Sequence, residues 1–136
     1  VIGSPNEEFD DVPVIAETKS RIKNYFSPSN KVATYIYDFG DHWVHKVTLE
    51  KIISAETGQK YPQCVAGKRA CPPEDCGGVY GYQELISVMS DPKHEEYENM
   101  LEWLGEEFKP DRFDISEIQF GNPKQRLKEA SGMGMA

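Results

Sequence analysis

The chain has 136 residues, a length typical of one domain, and its 38% hydrophobic content is too high for a disordered or collagen-like chain. Its 23 acidic against 15 basic residues give a formal net charge of -8, which disfavours nucleic acid as a partner because a phosphate backbone is polyanionic. No apolar run approaches the roughly 20 residues that cross a bilayer, so we expect no membrane association.

The N-terminal segment predicts an acidic loop followed by a short helix. Residues 1–13 combine acidic side chains with turn-forming residues, which is typical of a loop. Across residues 15–26 the apolar positions Ile15, Ile22 and Phe26 lie near helical spacing. We therefore expect helix over this stretch.

A β-hairpin is predicted next. Residues 32–39 and 43–53 are rich in β-branched and aromatic residues, and the turn-forming residues 40–42 stand between them. In the second strand the odd-numbered positions form the apolar face, so we expect His45 to point towards the core.

The C-terminal half predicts helices. An apolar stripe indicates a helix over about 81–90, and Asp91-Pro92 resembles an N-cap followed by proline in the first turn of a second helix that ends at Gly105. Asp114 and Glu117 are spaced like a capping box on a short helix, and residues 130–136 indicate a frayed tail. The predicted buried stripes consist of Tyr82, Leu85, Ile86, Met89, Tyr97, Met100, Leu101 and Leu104.

Residues 61–82 contain all three cysteines of the chain, Cys64, Cys71 and Cys76, among prolines and glycines. This composition predicts a shaped loop, since proline removes amide donors and glycine loosens the backbone. An odd number of cysteines cannot pair fully within one chain, and no secretory leader is recognisable, so we expect a reducing, cytoplasmic location.

The cysteines suggest a zinc site. Zinc prefers four thiolate or imidazole ligands, and Cys64, Cys71 and Cys76 with His45 or His94 could supply them. No C-x2-C pair is present, however, and free cysteines are commonly small buried hydrophobic residues. A metal site and a purely structural loop are thus the two interpretations.

A second candidate cluster surrounds the hairpin turn. Asp38, Asp41, His42 and His45 could hold a metal or perform acid–base chemistry, but aspartate beside glycine is also typical of side chains that fix a turn. The acids that precede Cys76 would oppose activation of its thiolate. The candidate functional loop consists of Asp38, Asp41, His42, Trp43, Glu74 and Asp75.

Two motifs carry a family resemblance. Residues 37–45, Tyr-Asp-Phe-Gly-Asp-His-Trp-Val-His, resemble the YDFGDxWxH signature of the plasmid pRi ORF-three-like family, and residues 67–78 resemble its GxRACPPEDCGG signature. The match runs over about 30–120 and lacks the strand–helix stretch that begins the usual family domain. The resemblance implies the C-terminal portion of a longer α+β domain, associated with plasmids and mobile elements and without an established catalytic activity.

Together these features predict a single α+β domain in which a hairpin or small antiparallel sheet packs with two consecutive helices and the cysteine loop. We expect a non-enzymatic accessory or interaction domain, with a metal-dependent hydrolase or nuclease as the alternative. The two motifs should meet in space, with Trp43 and His45 near the cysteine loop. Without its N-terminal cover the hairpin should expose Tyr35, Ile36 or Trp43 and favour a protein partner or self-association.

Overall fold

The hairpin is present as predicted, but both of its strands are shorter than expected. A computed structural model describes residues 2–3 and 14–132, in which strand β3, Val32–Tyr37, pairs antiparallel with strand β4, Trp43–Thr48. Beyond β4 the backbone N–H of Leu49 still donates to Lys31 O at 2.6 Å, but residues 50–53 form no strand. The hairpin and the helices that follow it confirm the α+β class.

The predicted helix at 15–26 is wrong. Strand β1, Ile2–Gly3, pairs in parallel with strand β2, Ile15–Ala16. Two single 3-10 turns follow at Glu17–Lys19 and Ile22–Asn24. Ile15 and Ala16 are extended because they pair with β1. The local spacing of apolar residues cannot reveal this pairing with a distant segment. Residues 1 and 4–13 of the expected acidic loop lie outside the described residues.

Among the described residues, three α-helices follow the cysteine loop; two were predicted with other ends, and the third was not predicted. Helix α1 is Gly78–Met89, α2 is Tyr97–Leu104 and α3 is Pro123–Ala130. The predicted start of α2 at residue 92 is wrong, because His94 Nδ1 accepts the N–H of Glu96 at 3.0 Å and holds the segment in turns. Gly105 ends α2 in the left-handed conformation, as expected.

The short helix expected near Asp114 is a single 3-10 turn, and Glu117 pairs with Arg112 instead of completing a capping box. The turn spans Ile115–Glu117, and Asp114 Oδ1 accepts the backbone N–H of Ser116 at 2.9 Å. Helix α3 carries the basic side chains Lys124, Arg126 and Lys128, all exposed. Residues 133–136 of the expected tail lie outside the described residues.

The hydrophobic core lies on α1. Leu85 is 1% exposed and Val88 is also buried, and α1 packs against α2. Leu85 was predicted to be buried, but Met89, Leu101 and Leu104 are only half-buried. The stripes of the two helices therefore meet each other, and their margins stay open to solvent.

The chain divides into two compact units. One contains the described residues up to Val32, Thr48–Pro62 and the described residues from Gln119, and the other contains Ala33–Val47 with Gln63–Ile118. The second unit holds both sequence motifs, α1 and α2. Among the described residues, no helix has the length and apolarity to cross a membrane.

Candidate functional site

The hairpin turn is fixed by Asp38. Its Oδ1 accepts the backbone N–H groups of Gly40 at 3.0 Å and Asp41 at 3.3 Å, and the N–H of His42 donates to its carbonyl oxygen. Asp38 and His42 both lie in the left-handed region, with φ of 56° and 57°. The turn-fixing interpretation of Asp38 is therefore confirmed, and the His42 side chain is exposed.

Asp41 joins the two sequence motifs. Its Oδ2 accepts the backbone N–H of Gly77 at 3.2 Å, directly ahead of α1. A Cβ on Gly78 would lie 2.5 Å from the carbonyl oxygen of Asp41, and Gly78 itself has φ of 70°. The glycine pair is thus required for the hairpin turn to approach the start of α1. The two motifs meet here as predicted, and the proximity of His45 to the cysteines stays a prediction.

A second bond between the motifs links Tyr37 to Glu74. The Tyr37 hydroxyl donates to Glu74 Oε1 at 2.9 Å. This hydrogen bond, followed by the negative charge of Glu74, raises the pKa of Tyr37. Glu74 therefore serves as an acceptor for a protonated tyrosine.

Aromatic rings connect β4 to α1. The Trp43 ring meets Tyr82 edge to face with centroids 6.2 Å apart, and Tyr82 meets Phe108 in the same way at 5.9 Å. Burial raises the pKa of Tyr82. Trp43 was predicted to lie near the cysteine loop, whereas the part played by Phe108 was missed because it lies in a segment without periodicity.

The three cysteines differ in their exposure to solvent. All three are free thiols: Cys71 is exposed, while Cys64 and Cys76 are half-buried. Burial, followed by the charge of Asp41, raises the pKa of Cys76 and keeps this thiol protonated at neutral pH. In residues 2–3 and 14–132, no three His, Cys, Asp or Glu side chains are grouped so that they could hold a metal ion.

The two candidate histidine ligands make other contacts. His45 is exposed rather than turned towards a core, its ring lies 5.5 Å from that of Tyr35, and its Nδ1 is 3.1 Å from Trp43 O. The prediction failed because the apolar face of this two-stranded sheet stays largely open, so alternation does not imply burial. His94 accepts the N–H of Glu96, as noted above, and so shapes the entry to α2.

The cysteine loop is shaped by unusual backbone geometry, as its composition predicted. Arg69 and Asp75 have φ of 66° and 57°. A Cβ on Gly67 would lie 2.5 Å from the ring of Phe113, so the loop approaches that ring closely. Asp75 is exposed beside a cleft on α1 and α2.

These features define an α+β domain in which the turn of a hairpin is bound to a glycine-rich loop at the start of a helix. The chain belongs to the plasmid pRiA4b ORF-3-like protein family, whose model matches residues 2–117. The match confirms the resemblance and extends it about 30 residues further towards the N-terminus than the motifs indicated.

Two relatives are similar over most of this chain. "Uncharacterized protein y4hQ" of Sinorhizobium fredii (strain NBRC 101917 / NGR234) is 39% identical over 103 residues, which are 76% of this chain and 53% of that protein. The crystal structure of "Protein of Unknown Function MM3350 from Methanosarcina mazei Go1" is 47% identical, with a TM-score of 0.78 over 88% of this chain and 64% of that one. The chain thus spans about half the length of the first relative and under two thirds of the second, and neither description assigns an activity.

Proposed function

We propose that this chain is a non-enzymatic interaction domain whose apolar hairpin surface is covered by further polypeptide. The observation that carries the proposal is the exposure of Tyr35 and Val47, which are 55% and 43% exposed on one face of the hairpin. Of the side chains predicted to lack cover, Ile36 and Trp43 are half-buried and Tyr35 is exposed. Apolar side chains gathered on an exposed face are typical of interaction surfaces.

The additional length of the relatives points to the nature of this cover. Both relatives extend well beyond the matched region, so we expect part of a longer family domain to lie on the hairpin. Where that part is missing, a second copy of the chain offers the same kind of unpaired strand edge and favours self-association.

The net charge of -8 favours protein over nucleic acid as the partner. Three free thiols are consistent with a cytoplasmic setting.

The alternative of a metal-dependent hydrolase or nuclease has no comparable support. The histidines and cysteines that would hold the metal are not grouped in the described part of the chain. Carboxylate oxygens of Asp38 and Asp41 accept hydrogen bonds from backbone N–H groups instead. Zinc as a cofactor remains a hypothesis to be tested by metal analysis of the purified protein.

Sedimentation velocity tests the proposed cover. We expect the wild-type chain to associate as its concentration rises, and the double variant Tyr35→Lys with Val47→Lys to stay monomeric because charge on this face opposes burial. Val44→Lys is the matched control, since Val44 is 62% exposed on the opposite face of the same strand. A wild-type chain that stays monomeric at the highest attainable concentration, and that binds no added segment of its longer relatives, would contradict the proposal.

A further inference from the structure

A cleft with an apolar floor lies on the second unit, between the cysteine loop, α1 and α2. Its volume is about 290 Å³. Leu85, which is 1% exposed, forms part of its lining with Met100. Trp103 also lines it and is 52% exposed, although tryptophan usually buries most of its large ring. The cleft thus presents an accessible indole beside a buried aliphatic side chain.

The polar part of the cleft is negatively charged. Asp75 comes from the cysteine loop and Glu96 from the residue before α2, and both line the cleft. The ion pair that the described residues form joins Arg112 to Glu117, which leaves Asp75 and Glu96 without a cationic partner there. Glu96 Oε2 accepts a hydrogen bond from the Asn99 side chain at 3.3 Å, which orients this carboxylate.

These features point to the chemistry of a ligand. We propose that the cleft binds an arginine side chain of a partner polypeptide, with its guanidinium beside Asp75 and Glu96 and against the indole of Trp103. A guanidinium is planar, pairs with carboxylates through fixed donors and stacks on aromatic rings. This proposal rests on the chain being an interaction domain, but it uses a surface other than the hairpin face.

The size of the cleft supports a single side chain as its occupant. Small-molecule and cofactor sites commonly measure about 300–1,000 Å³, so this cleft is at or below their lower limit. None of its lining residues is basic, so an anionic ligand would meet only like charges. A cationic side chain with an apolar stem fits both parts of the lining.

Titration with the blocked tripeptide acetyl-Gly-Arg-Gly-amide tests the proposal. The signal is the NMR resonance of the Trp103 indole N–H, assigned by its loss in Trp103→Phe. We expect a saturable shift, and binding at least about fivefold weaker for the citrulline peptide, which has nearly the same shape without the charge. No saturation below about 20 mM, or equal binding of the two peptides, would overturn it.

Charge-matched variants locate the binding to the cleft. Glu96→Gln should weaken arginine binding about fivefold or more, because it removes one carboxylate charge from the lining. Glu98→Gln makes the same change on α2 at a residue outside the lining and should leave binding unchanged. Equal losses from both variants would show only a general effect of net charge and would refute the site.

The hairpin variant separates this proposal from the proposed hairpin cover. Tyr35→Lys with Val47→Lys should abolish self-association and retain arginine binding, since neither residue lines the cleft. A wild-type chain that binds the arginine peptide, stays monomeric and binds no added segment of its longer relatives would refute the hairpin cover alone. An associating chain that does not bind the peptide would refute the arginine site alone.

Discussion

At the residue scale, the bond between Tyr37 and Glu74 makes an alkaline titration informative. The hydrogen bond and charge of Glu74 raise the pKa of Tyr37, so the protonated phenol is favoured in the folded protein. The stability from this contact is present below the tyrosine's unfolded pKa of about 10 and is lost as pH rises through the higher folded value. The contact should therefore hold throughout the neutral range.

We expect Glu74→Gln to lower the titration midpoint of Tyr37. The amide keeps a hydrogen-bond acceptor but removes the negative charge that opposes tyrosinate formation. Tyrosinate absorbance, taken as the difference between each protein and its Tyr37→Phe counterpart, measures the midpoint. Glu84→Gln on α1 is the charge-matched control and should have no effect. An unchanged midpoint in Glu74→Gln would show that the contact does not form in solution.

Gly78 provides a second test at this scale. Gly78→Ala combines a positive φ with a Cβ that would lie 2.5 Å from the carbonyl oxygen of Asp41. Gly105→Ala has a similar φ of 78°, but its Cβ would meet nothing within 4 Å. The control should cost about 1–2 kcal/mol of unfolding free energy from backbone strain, and Gly78→Ala about 1–3 kcal/mol more.

Denaturant unfolding of the two variants measures this difference. Both glycines have the left-handed conformation, so its cost is common to the two variants. The difference between their losses of unfolding free energy therefore measures the cost of the steric clash between the hairpin turn and α1. Equal losses of unfolding free energy in the two variants would mean that the hairpin turn can move away from α1 without destabilising the fold.

At the element scale, α1 is the helix on which the core depends. Leu85→Ala removes a fully buried side chain and should lower the unfolding free energy by about 2–5 kcal/mol. Leu127→Ala makes the same substitution on α3, where the side chain is about half exposed, and should change it by less than about 0.5 kcal/mol. Guanidinium melts of the two variants provide the comparison, and a loss below about 1 kcal/mol for Leu85→Ala would show that α1 is not the core helix.

Helix α1 shows how far the spacing of apolar residues predicts a helix and its buried side. The α1 stripe correctly predicted a helix and the burial of Leu85, because spacing along a helix depends only on neighbouring residues. It did not include Val88, which is buried nearly as fully. Which edge of an apolar stripe becomes the core depends on where α2 packs, and that is a tertiary contact.

At the scale of the whole molecule, the small number of buried apolar side chains predicts a weak dependence of the unfolding free energy on denaturant. The m-value of unfolding is proportional to the surface that unfolding exposes. Among the described residues, Leu85 and Val88 are the buried apolar side chains, and large ones such as Phe39 and Tyr80 are exposed. We therefore expect the urea m-value to be lower than that of a compact monomer of this size.

This prediction requires dilute protein, at a concentration where sedimentation shows monomer. Tyrosine and tryptophan fluorescence during a urea titration measures the m-value. Repeating the titration at concentrations where the chain associates is the control, and there the m-value should rise. A dilute chain with the m-value of a compact monomer would contradict the exposure of these apolar side chains.

The family, the α+β class and the shaped cysteine loop could be predicted from sequence because each depends on local chemistry. Asp38 fixes its turn through N–H groups two and three residues away, and Asp114 caps the 3-10 turn directly after it. Glycine and proline likewise act on their own backbone. Such interactions form between near neighbours, so the order of residues is enough to indicate them.

Only the tertiary structure decided what the motifs do together. Asp41 resembled a turn residue, but its carboxylate binds Gly77, 36 positions further along the chain. His45 was expected in a core and is exposed, because burial depends on whether a second layer covers the sheet. The cleft at Trp103 likewise requires the cysteine loop and two helices to meet. Contacts between distant residues arise from packing, which no local pattern of residues encodes.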